Sequence, residues 1–454
     1  MEARVLAERL CRTLKASGHQ AYFVGGCVRD ILLGREPADY DVATDATPDR
    51  VRELFSPSFA VLEVGAKFGV MLVVDPEGSA QEVPLTVEVA TFRSDVGYSD
   101  GRHPDNVVFS KTAQEDVQRR DFTINALLMD PETKEVLDFV GGREDLSAGI
   151  IRAIGNPEER FREDKLRLVR AVRFAARLHY AIDARTFHAI QKLAPEIKQV
   201  SPERLRDELT KLLTEGAARR GFELLDETRL LPEILPEIAR MKGVEQPQQF
   251  HPEGDVWIHT LLMLEKLPAG CSPTLAWGVL LHDVGKPATF KPPSQTGDRI
   301  RFDGHVEVGV RMAEEIGRRL RFSNEDTAQI AALVANHMKF KDVPQMKAST
   351  RKRFVRLNRF EEHLELHRLD CLSSHRKLDN YDFVQKYIRE TPAEQIRPAR
   401  LLTGNDLLDM GFPPGPSFKR MLDAVEEAQL NDLIRTREEA IELLKSLPAI
   451  NEIN

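Results

Sequence analysis

Two aspartates that stand two residues apart, Asp39 and Asp41, are the residues of this sequence whose types and spacing most directly suggest chemistry. Side chains at i and i+2 of an extended segment point to the same face, so the two carboxylates are expected to lie side by side. Paired carboxylates are hard oxygen ligands that suit Mg²⁺. Upstream, Gly25 and Gly26 predict a turn without side chains, where backbone N–H groups can approach a phosphate. Carboxylates for a metal and a turn for phosphate together predict nucleotide transfer.

The wider pattern around these aspartates resembles the signature of the DNA polymerase β nucleotidyltransferase superfamily. More closely, it resembles the class II tRNA nucleotidyltransferase and bacterial poly(A) polymerase family. The matching residues are Gly25, Gly26, Arg29, Asp30, Gly34, Asp39, Asp41 and Thr44. The resemblance implies that Asp39 and Asp41 hold Mg²⁺ while Gly25, Gly26 and Arg29 contact the nucleotide. Glu88, in the predicted strand VEVATFR, is a candidate for a third metal-binding carboxylate, and a purely structural strand acid is the alternative.

A second block, EDVQRRDFTINALLMD at 115–130, contains the adjacent cations Arg119 and Arg120. Guanidinium groups form bidentate hydrogen bonds with phosphate oxygens, so this pair could hold a triphosphate or an RNA end. The alternative is a surface ion pair with Asp121 or Glu115. The string RRDFTINA resembles the second motif of the same family. That resemblance implies that Arg119, Arg120, Asp121 and Asn125 take part in nucleotide binding.

A third block, EDKLR at 163–167, suggests base selection. If the block is helical, Asp164 and Arg167 are neighbours at i and i+3. A carboxylate accepts and a guanidinium donates, which matches the amino group and ring nitrogen of cytosine and adenine but not the reversed pattern of uracil and guanine. An intrahelical salt bridge is the alternative. The block resembles the EDxxR motif by which class II CCA-adding enzymes choose CTP and ATP, and Glu163 would then orient Arg167.

Further arginines follow this block. Four of them recur every three or four residues and are expected on one helical face, where we predict contact with RNA or triphosphate rather than only solvent: Arg167, Arg170, Arg173 and Arg177. The resemblance places Arg170 and Arg173 among the nucleotide-binding residues. The segment ERLRDELTKLL at 203–213 resembles the neck-helix motif of the family, with Arg204 and Arg206 as its cations.

The C-terminal half contains a separate set of histidines and aspartates. Their order resembles that of the HD metal-dependent phosphohydrolase superfamily, with four core residues and two that could serve a second metal: His259, His282, Asp283 and Asp370, then His305 and His337. Imidazole suits Ni²⁺, Co²⁺, Mn²⁺ or Zn²⁺ better than Mg²⁺. The alternatives are histidines satisfied within a core, or an HD domain that keeps its ligands but acts mainly as a scaffold.

Composition limits the remaining possibilities. Four cysteines lie far apart without a CxxC spacing, which predicts neither a disulfide framework nor a zinc ribbon. The first twenty residues predict an amphipathic helix rather than a signal peptide, and the apolar runs are too short to span a membrane, so a cytoplasmic protein is expected. The net charge of −8 is not typical of a nucleic-acid-binding protein, although it can conceal a local basic surface.

We predict an α+β fold. A small mixed-sheet nucleotidyltransferase head, polymerase β-like, occupies 1–150. An all-α remainder follows, with neck and body at 151–250, an HD domain at 251–400 and a helical tail at 401–454. Within the head, VLEVGAKFGVMLVVD and LTVEVATFR predict neighbouring strands because they are rich in β-branched residues.

The resemblance implies a tRNA nucleotidyltransferase that adds the 3′-terminal CCA from CTP and ATP without a nucleic-acid template. Its partners would be tRNA, CTP and ATP, with no membrane. Within the family, an enzyme that adds only A, only CC or poly(A) remains open. The loop RSDVGYSDGRHPDNVVF is of full length, which weighs against CC-only addition. Two other classes are an HD phosphohydrolase with an RNA-binding head and a non-catalytic RNA-binding scaffold, and the intact carboxylate pair argues against both. The sequence predicts no oligomeric state.

Overall fold

The computed structural model describes six stretches of the chain: 2–65, 68–75, 84–96, 106–249, 251–252 and 254–446. Its residue contacts divide the chain into two units, Met1–Ala239 and Arg240–Asn454. The predicted division into four domains is finer than this and stays a prediction. No helix among these residues is both long enough and apolar enough to cross a membrane. The four cysteines are free.

The first unit contains the β-structure of the chain. Its strands are β1 (Ala21–Val24), β2 (Asp41–Thr44), β3 (Ala60–Gly65), β4 (Val70–Asp75), β5 (Leu85–Thr91), β6 (Arg93–Val96), β7 (Asn106–Phe109), β8 (Leu128–Met129), β9 (Val136–Leu137), β10 (Ile150–Ile151) and β11 (Ala181–Ile182). Seven of them form one sheet in the order β3-β4-β5-β2-β1-β8-β9. The β2–β5 pair is parallel and its neighbours are antiparallel, so the sheet is mixed as predicted. The predicted strand VLEVGAKFGVMLVVD forms two strands, β3 and β4, which pair antiparallel.

The helices of the first unit cover the sheet and then continue alone. They are α1 (Glu2–Ala16), α2 (Gly26–Leu32), α3 (Pro48–Phe55), α4 (Ala113–Gln118), α5 (Gly142–Ala148), α6 (Pro157–Glu163), α7 (Arg167–Leu178), α8 (Ala184–Leu193), α9 (Pro202–Thr214), α10 (Ala218–Glu227), α11 (Leu231–Ile234) and α12 (Pro236–Ala239). The amphipathic N-terminal helix is confirmed, because Leu6, Leu10 and Leu14 of α1 are buried at helical spacing. After Gly149 the unit is helical except for the short β10–β11 pair, and this confirms the predicted α+β class.

The second unit is helical throughout the residues that the structure describes. Its helices are α13 (Val256–Glu265), α14 (Pro273–Leu281), α15 (Lys286–Thr289), α16 (Pro293–Thr296), α17 (His305–Arg319), α18 (Asn324–Asn336), α19 (Ala348–Phe354), α20 (Phe360–Ser373), α21 (Asp379–Glu390), α22 (Ala393–Ile396), α23 (Gly404–Asp409), α24 (Pro416–Leu430) and α25 (Arg437–Ser446). From Thr274 to Leu281 every side chain of α14 is buried, which makes this helix the centre of the unit. It packs against α13, which carries His259, α18, which ends one residue before His337, and α20, which carries Asp370.

The loop RSDVGYSDGRHPDNVVF at 93–109, whose length weighs against CC-only addition, falls largely outside the described residues. Its two ends form β6 and β7, which pair antiparallel with Arg93 opposite Phe109. Residues 97–105 lie outside the described part of the chain.

Candidate active site and second metal centre

The predicted metal-binding carboxylates lie at the edge where β2 begins. Asp41 is the first residue of β2, and its register partner in the parallel neighbour β5 is Glu88. Tyr40, between the two aspartates, is 3% exposed and packs edge-to-face on Phe23, with ring centroids 5.3 Å apart. Because side chains alternate along an extended segment, Asp39 and Asp41 share the face opposite that ring. Paired residues of adjacent strands point to the same side of the sheet, so Glu88 joins them there.

The electrostatics of this group favour a bound cation. Burial, together with the charges of Glu88 and Asp39, raises the pKa of Asp41 to about 7, although Arg120 acts in the opposite direction. Asp41 is half-buried and Asp39 and Glu88 are exposed, and carboxylates that repel each other in this way are stabilised by a positive charge between them. Oxygen donors alone are a ligand set that suits Mg²⁺.

The two adjacent arginines are held together by one buried carboxylate. Asp116, 1% exposed, lies one helical turn before them in α4. Its Oδ1 accepts hydrogen bonds from Arg119 at 2.9 and 2.7 Å, and its Oδ2 accepts from Arg120 at 3.3 and 3.0 Å. Burial alone would raise the pKa of Asp116, but Arg120 and Arg119 outweigh it and hold the pKa below its ordinary value. The partner is therefore neither Asp121 nor Glu115, the two residues that the sequence offered.

The glycine turn lies beside one of the two arginines predicted to bind phosphate. Gly25 has φ of +79°, a left-handed conformation that favours glycine, and α2 begins directly after it. A Cβ atom at Gly25 would lie 3.6 Å from Nη1 of Arg120, so the guanidinium group lies close above the turn. The turn, Arg120 and Asp41 thus form one local site.

Asp121 and Asn125 lie behind this surface in a hydrogen-bonded chain. Asp121 Oδ2 accepts from Nε and Nη2 of Arg170 at 3.0 and 2.7 Å. Its Oδ1 accepts from the Phe122 backbone N–H at 2.8 Å and from Asn125 Nδ2 at 3.4 Å. Asn125 Oδ1 in turn accepts from Arg29 Nη1 at 2.8 Å, and Arg29 is 3% exposed. These side chains position the site from within the fold, and their predicted contact with the nucleotide stays a prediction.

The expected single helix through EDKLR is wrong. Helix α6 ends at Glu163, Asp164 has extended backbone angles, and α7 begins at Arg167. Asp164 leaves the helix because its carboxylate makes other contacts: Oδ1 accepts from the Leu166 backbone N–H at 3.1 Å and Oδ2 from Arg204 Nη2 at 2.7 Å. The turn still keeps the two residues adjacent, since the Arg167 N–H donates to the Asp164 carbonyl at 3.1 Å.

Arg167 is fixed on three sides. Its Nη1 donates to Glu163 Oε2 at 2.7 Å and to the Arg160 carbonyl at 2.9 Å, and its Nη2 donates to the Arg119 carbonyl at 3.0 Å. The contact expected between Glu163 and Arg167 is therefore present. A guanidinium group has five N–H bonds, so two remain for another acceptor. The last of the three contacts ties this block to the arginine pair.

The arginine face of α7 is bound to carboxylates rather than free for RNA. Arg173 is 5% exposed and donates to Glu208 Oε2 at 2.7 Å and to Glu215 at 3.1 Å. Arg170 lies 3.5 Å from the second oxygen of Glu208 and also binds Asp121. Arg173 is thus buried and ion-paired, and the predicted contact of the other arginines of this face with RNA or triphosphate stays a prediction.

The histidines of the second unit form two adjacent groups of candidate metal ligands. Each group has three ligand atoms within 4.8 Å of one another, and the members are His259, His282 and Asp370, then Asp283, His305 and His337. Among the described residues the head carboxylates are not grouped this tightly. His259 Nε2 lies 3.2 Å from Asp370, and His282 Nε2 lies 3.1 Å from Asp283, so the two groups meet at the HD pair. All six predicted residues are therefore brought together.

Three of these histidines have the same second contact. The Nδ1 atoms of His282, His305 and His337 lie 2.8, 2.9 and 2.7 Å from the backbone carbonyl three residues earlier. Because a carbonyl only accepts, Nδ1 carries the proton and the Nε2 lone pair is left for a metal. Each Nε2 is buried; in the described structure those of His305 and His337 have no hydrogen-bond partner, and that of His282 lies beside Asp283. Burial lowers the pKa of His337 to about 4, so its ring is neutral at pH 7.

Gly285 brings α15 and α17 together at this centre. A Cβ atom at Gly285 would lie 2.1 Å from the His305 carbonyl oxygen, so only glycine fits. The next residue, Lys286, is 6% exposed and places Nζ 2.7 Å from Asp283 and 2.6 Å from Gln246 Oε1. Burial alone would raise the pKa of Asp283, but His282 and Lys286 hold it well below its ordinary value.

The residues that sequence reasoning missed are mainly those that form ion pairs with the predicted site residues. Asp116, Glu208 and Glu215 were not singled out, and neither was Lys286. For Asp116 a signal was present, because it lies three and four residues before the arginine pair. Glu208 and Glu215 lie 35 and 42 residues from Arg173, and no local pattern reports that distance.

Comparison with known families matches three parts of the chain in order. The family model of the poly(A) polymerase head domain matches residues 21–152, that described as "Probable RNA and SrmB- binding site of polymerase A" matches 179–242, and that of the HD domain matches 256–395. A CCA-adding enzyme of Lactobacillus helveticus is 40% identical over 58% of this chain and 64% of its own length. One of Bacillus subtilis is 43% identical over 49% of this chain and 53% of its own. The chain spans less than two thirds of these relatives.

Solved structures match over nearly the whole chain. A CCA-adding enzyme of Bacillus stearothermophilus in complex with CTP has a TM-score of 0.72 at 28% identity, covering 99% of this chain and 98% of that one. A Thermotoga maritima CCA-adding enzyme complexed with tRNA has a TM-score of 0.56 at 19% identity, covering 97% and 94%, which shows a shared fold.

Proposed function

Because the chain belongs to the tRNA nucleotidyltransferase and bacterial poly(A) polymerase family, with a C-terminal HD domain, we propose that it adds CCA to the 3′ end of tRNA from CTP and ATP. The observation that carries this proposal is the carboxylate group in which Asp41 and Glu88 are register partners and Asp39 shares their face. In the reaction the 3′-OH of tRNA attacks the α-phosphate, its oxygen bonds to phosphorus, and pyrophosphate leaves.

The carboxylate oxygens of Asp39 and Asp41, with Glu88 as a third, would hold Mg²⁺. Bound Mg²⁺ would neutralise triphosphate charge and lower the pKa of the attacking hydroxyl. The chain contributes positioning and charge around that centre. Arg119 and Arg120, preorganised by Asp116, would grip the triphosphate, so little ordering entropy is lost when the nucleotide binds.

Base choice would come from Asp164 and Arg167. The Asp164 carboxylate has room for further donors beyond Leu166 and Arg204, and Arg167 keeps two N–H bonds. An amino group beside a ring nitrogen would satisfy both residues, which selects cytosine and adenine. A carbonyl beside an N–H would set acceptor against acceptor and donor against donor, which rejects uracil and guanine.

The test is incubation with three tRNAs, ending at the discriminator base, at −C and at −CC, with CTP and ATP supplied separately. A CCA-adding enzyme extends the first two with CTP and the third with ATP, each to a defined length. If ATP extends the −CC tRNA and CTP extends none of the three, the enzyme adds only A. If ATP extends a tRNA by more than one A, the enzyme is a poly(A) polymerase. If CTP is added but ATP does not extend the −CC tRNA, the enzyme adds only CC.

A second candidate function is phosphohydrolysis at the histidine and aspartate groups of the second unit. The observation that favours it is the shared Nδ1 contact, which aims three buried Nε2 lone pairs at one place. Mixed nitrogen and oxygen donors suit Ni²⁺, Co²⁺, Mn²⁺ or Zn²⁺. A bound ion of this kind would lower the pKa of water into a usable range.

The proposed substrate is a 2′,3′-cyclic or terminal phosphate at a tRNA 3′ end, whose removal frees the hydroxyl that the head needs. In opening the cyclic phosphate, a water oxygen bonds to phosphorus, one ester P–O bond breaks, and the released ribose oxygen takes a proton. The test is metal content of the purified protein, with phosphodiesterase and phosphatase assays across the four ions. Absence of both bound metal and hydrolysis would refute this function.

A further inference from the structure

A cavity of about 980 Å³ opens beside the two ligand groups of the second unit. Asp370, His305 and His337 lie in its wall, so both groups face the same space. Small-molecule sites occupy roughly 300–1,000 Å³, and this volume lies at the top of that range. The space therefore exceeds what one terminal phosphate and its ribose require.

The charge of the wall is opposite to that of the chain. Five cationic side chains line the cavity: Lys286, Arg299, Arg301, Lys341 and Lys377. Three carboxylates also line it, Asp303, Asp370 and Asp379, so the cations outnumber the carboxylates by two. In a chain of net charge −8, this is a local excess of positive charge.

The outer cations come from separate segments that converge on the cavity. Arg301 follows α16, Lys341 lies in the 3-10 segment His337–Gln345, and Lys377 lies in the turn between α20 and α21. Arg301 is exposed and pairs with Asp298 at 2.8 Å. The ammonium groups of Lys341 and Lys377 are exposed and have no ion-pair or hydrogen-bond partner among the residues described.

We propose that this cavity binds the 3′-terminal nucleotides of a single-stranded RNA, with Lys341 and Lys377 contacting the phosphates that precede the terminal one. This inference rests on the proposed phosphohydrolase function and names the side chains that would recognise the RNA beyond its terminal phosphate. Cations spread over three segments suit successive phosphates better than one compact polyphosphate. The wall also offers the rings of Phe302 and His375, on which bases can stack.

The experiment compares two compounds with the full-length protein: 2′,3′-cyclic AMP and an RNA tetranucleotide that ends in a 2′,3′-cyclic phosphate. Hydrolysis is measured in the presence of Ni²⁺, Co²⁺, Mn²⁺ or Zn²⁺. Binding of a fluorescein-labelled tetranucleotide with a 3′-phosphate is measured separately by anisotropy over a range of salt concentrations. The variant is Lys341→Gln with Lys377→Gln, and Lys339→Gln is the matched control because Lys339 is exposed in the same 3-10 segment but does not line the cavity.

We expect a lower KM for the tetranucleotide than for the mononucleotide, and a rise in the tetranucleotide KM in the double variant that exceeds any rise for the mononucleotide. The slope of log affinity against log salt should become shallower by about 1.4, at about 0.7 per lost phosphate contact on single strands. The control variant should match the unaltered protein.

If no ion supports hydrolysis but the double variant still flattens the salt slope, the phosphohydrolase function fails and the inference stands. If both compounds are hydrolysed with equal KM and the double variant behaves like the control, hydrolysis stands and the inference is overturned. An unchanged salt slope without hydrolysis overturns both.

Discussion

Replacing Asp116 by Asn tests whether the arginine pair is a prepared triphosphate clamp. The carboxylate accepts two hydrogen bonds from Arg119 on one oxygen and two from Arg120 on the other. Asparagine keeps one acceptor oxygen and turns an NH₂ group towards the second guanidinium, so that arginine loses both bonds and meets a donor. The volume of the side chain is nearly unchanged, and the effect is therefore electrostatic.

The expected magnitude follows from burial. The Asp116 side chain is 1% exposed and each arginine side chain 19% exposed, so solvent screens the pair little. Breaking such a buried pair on one side costs about 3–5 kcal/mol of unfolding free energy. For a unit of this size, that corresponds to a fall in Tm of about 6–20 °C, at about 2–4 °C per kcal/mol.

The functional effect should be separate from the loss of stability. The arginine released from the side chain must then be ordered when the nucleotide binds, at a cost of about 0.5–1.5 kcal/mol, so KM for CTP should rise by roughly 2- to 13-fold. The assay is CTP incorporation into tRNA that ends at the discriminator base, measured at a temperature well below the Tm of the variant. We expect kcat to change less than KM.

Asp145→Asn is the matched control. Asp145 is 6% exposed, accepts from Arg152 Nε at 3.0 Å and from Thr123 Oγ1 at 2.7 Å, and holds no predicted nucleotide ligand. It should lower Tm comparably and leave KM for CTP unchanged. If Asp116→Asn raises KM no more than Asp145→Asn does, the arginine pair is a structural ion pair and the triphosphate role is wrong.

Three further predictions address the separate sites. Asp41→Asn should abolish nucleotide addition while circular dichroism and tRNA binding remain nearly unchanged; Mg²⁺-dependent CTP incorporation by this variant would show that the carboxylate is not a metal ligand. Asp164→Ala and Arg167→Ala should each lower the preference for CTP and ATP over UTP and GTP. A bidentate base contact is worth about 1–3 kcal/mol, so the preference should fall roughly 5- to 150-fold. If both variants kept full selectivity in a competition assay, the two residues would have only a structural role. His282→Ala with Asp283→Ala should remove bound transition metal and hydrolysis without affecting nucleotide addition; loss of both activities together would argue against two independent sites.

Local patterns predicted the elements of the head and the residues of both sites. The spacing of Asp39 and Asp41 could be interpreted from the sequence because side-chain alternation along a strand is a local property. The HD pair could be recognised for the same reason, since His282 and Asp283 are adjacent. For Glu88 the sequence left two alternatives, a metal-binding carboxylate and a structural strand acid. The sheet makes it the register partner of Asp41, and this relation depends on the pairing of β2 with β5.

Contacts between residues far apart in the sequence explain the two features that local patterns did not predict. EDKLR consists largely of good helix formers, and its intrinsic preference gives no reason for a break. At the break, the extended residue Asp164 accepts a hydrogen bond from Arg204, 40 residues away along the chain. In the same way the sequence predicted contact with RNA or triphosphate for Arg173, because its partner Glu208, on α9, could not be located from the sequence.

The acidic balance of the chain and its proposed work on nucleic acid have a common physical explanation. In the head, acidic side chains hold the cations of the site: Asp116 holds the arginine pair, and Glu163 holds Arg167. An arginine fixed by a carboxylate attracts phosphate less strongly at long range, because the neighbouring charge cancels much of its field. It loses less conformational freedom when the ligand arrives and presents its remaining N–H bonds in a fixed direction. Such a site gains selectivity at the expense of general attraction, which suits the proposed choice among four nucleotides of equal charge.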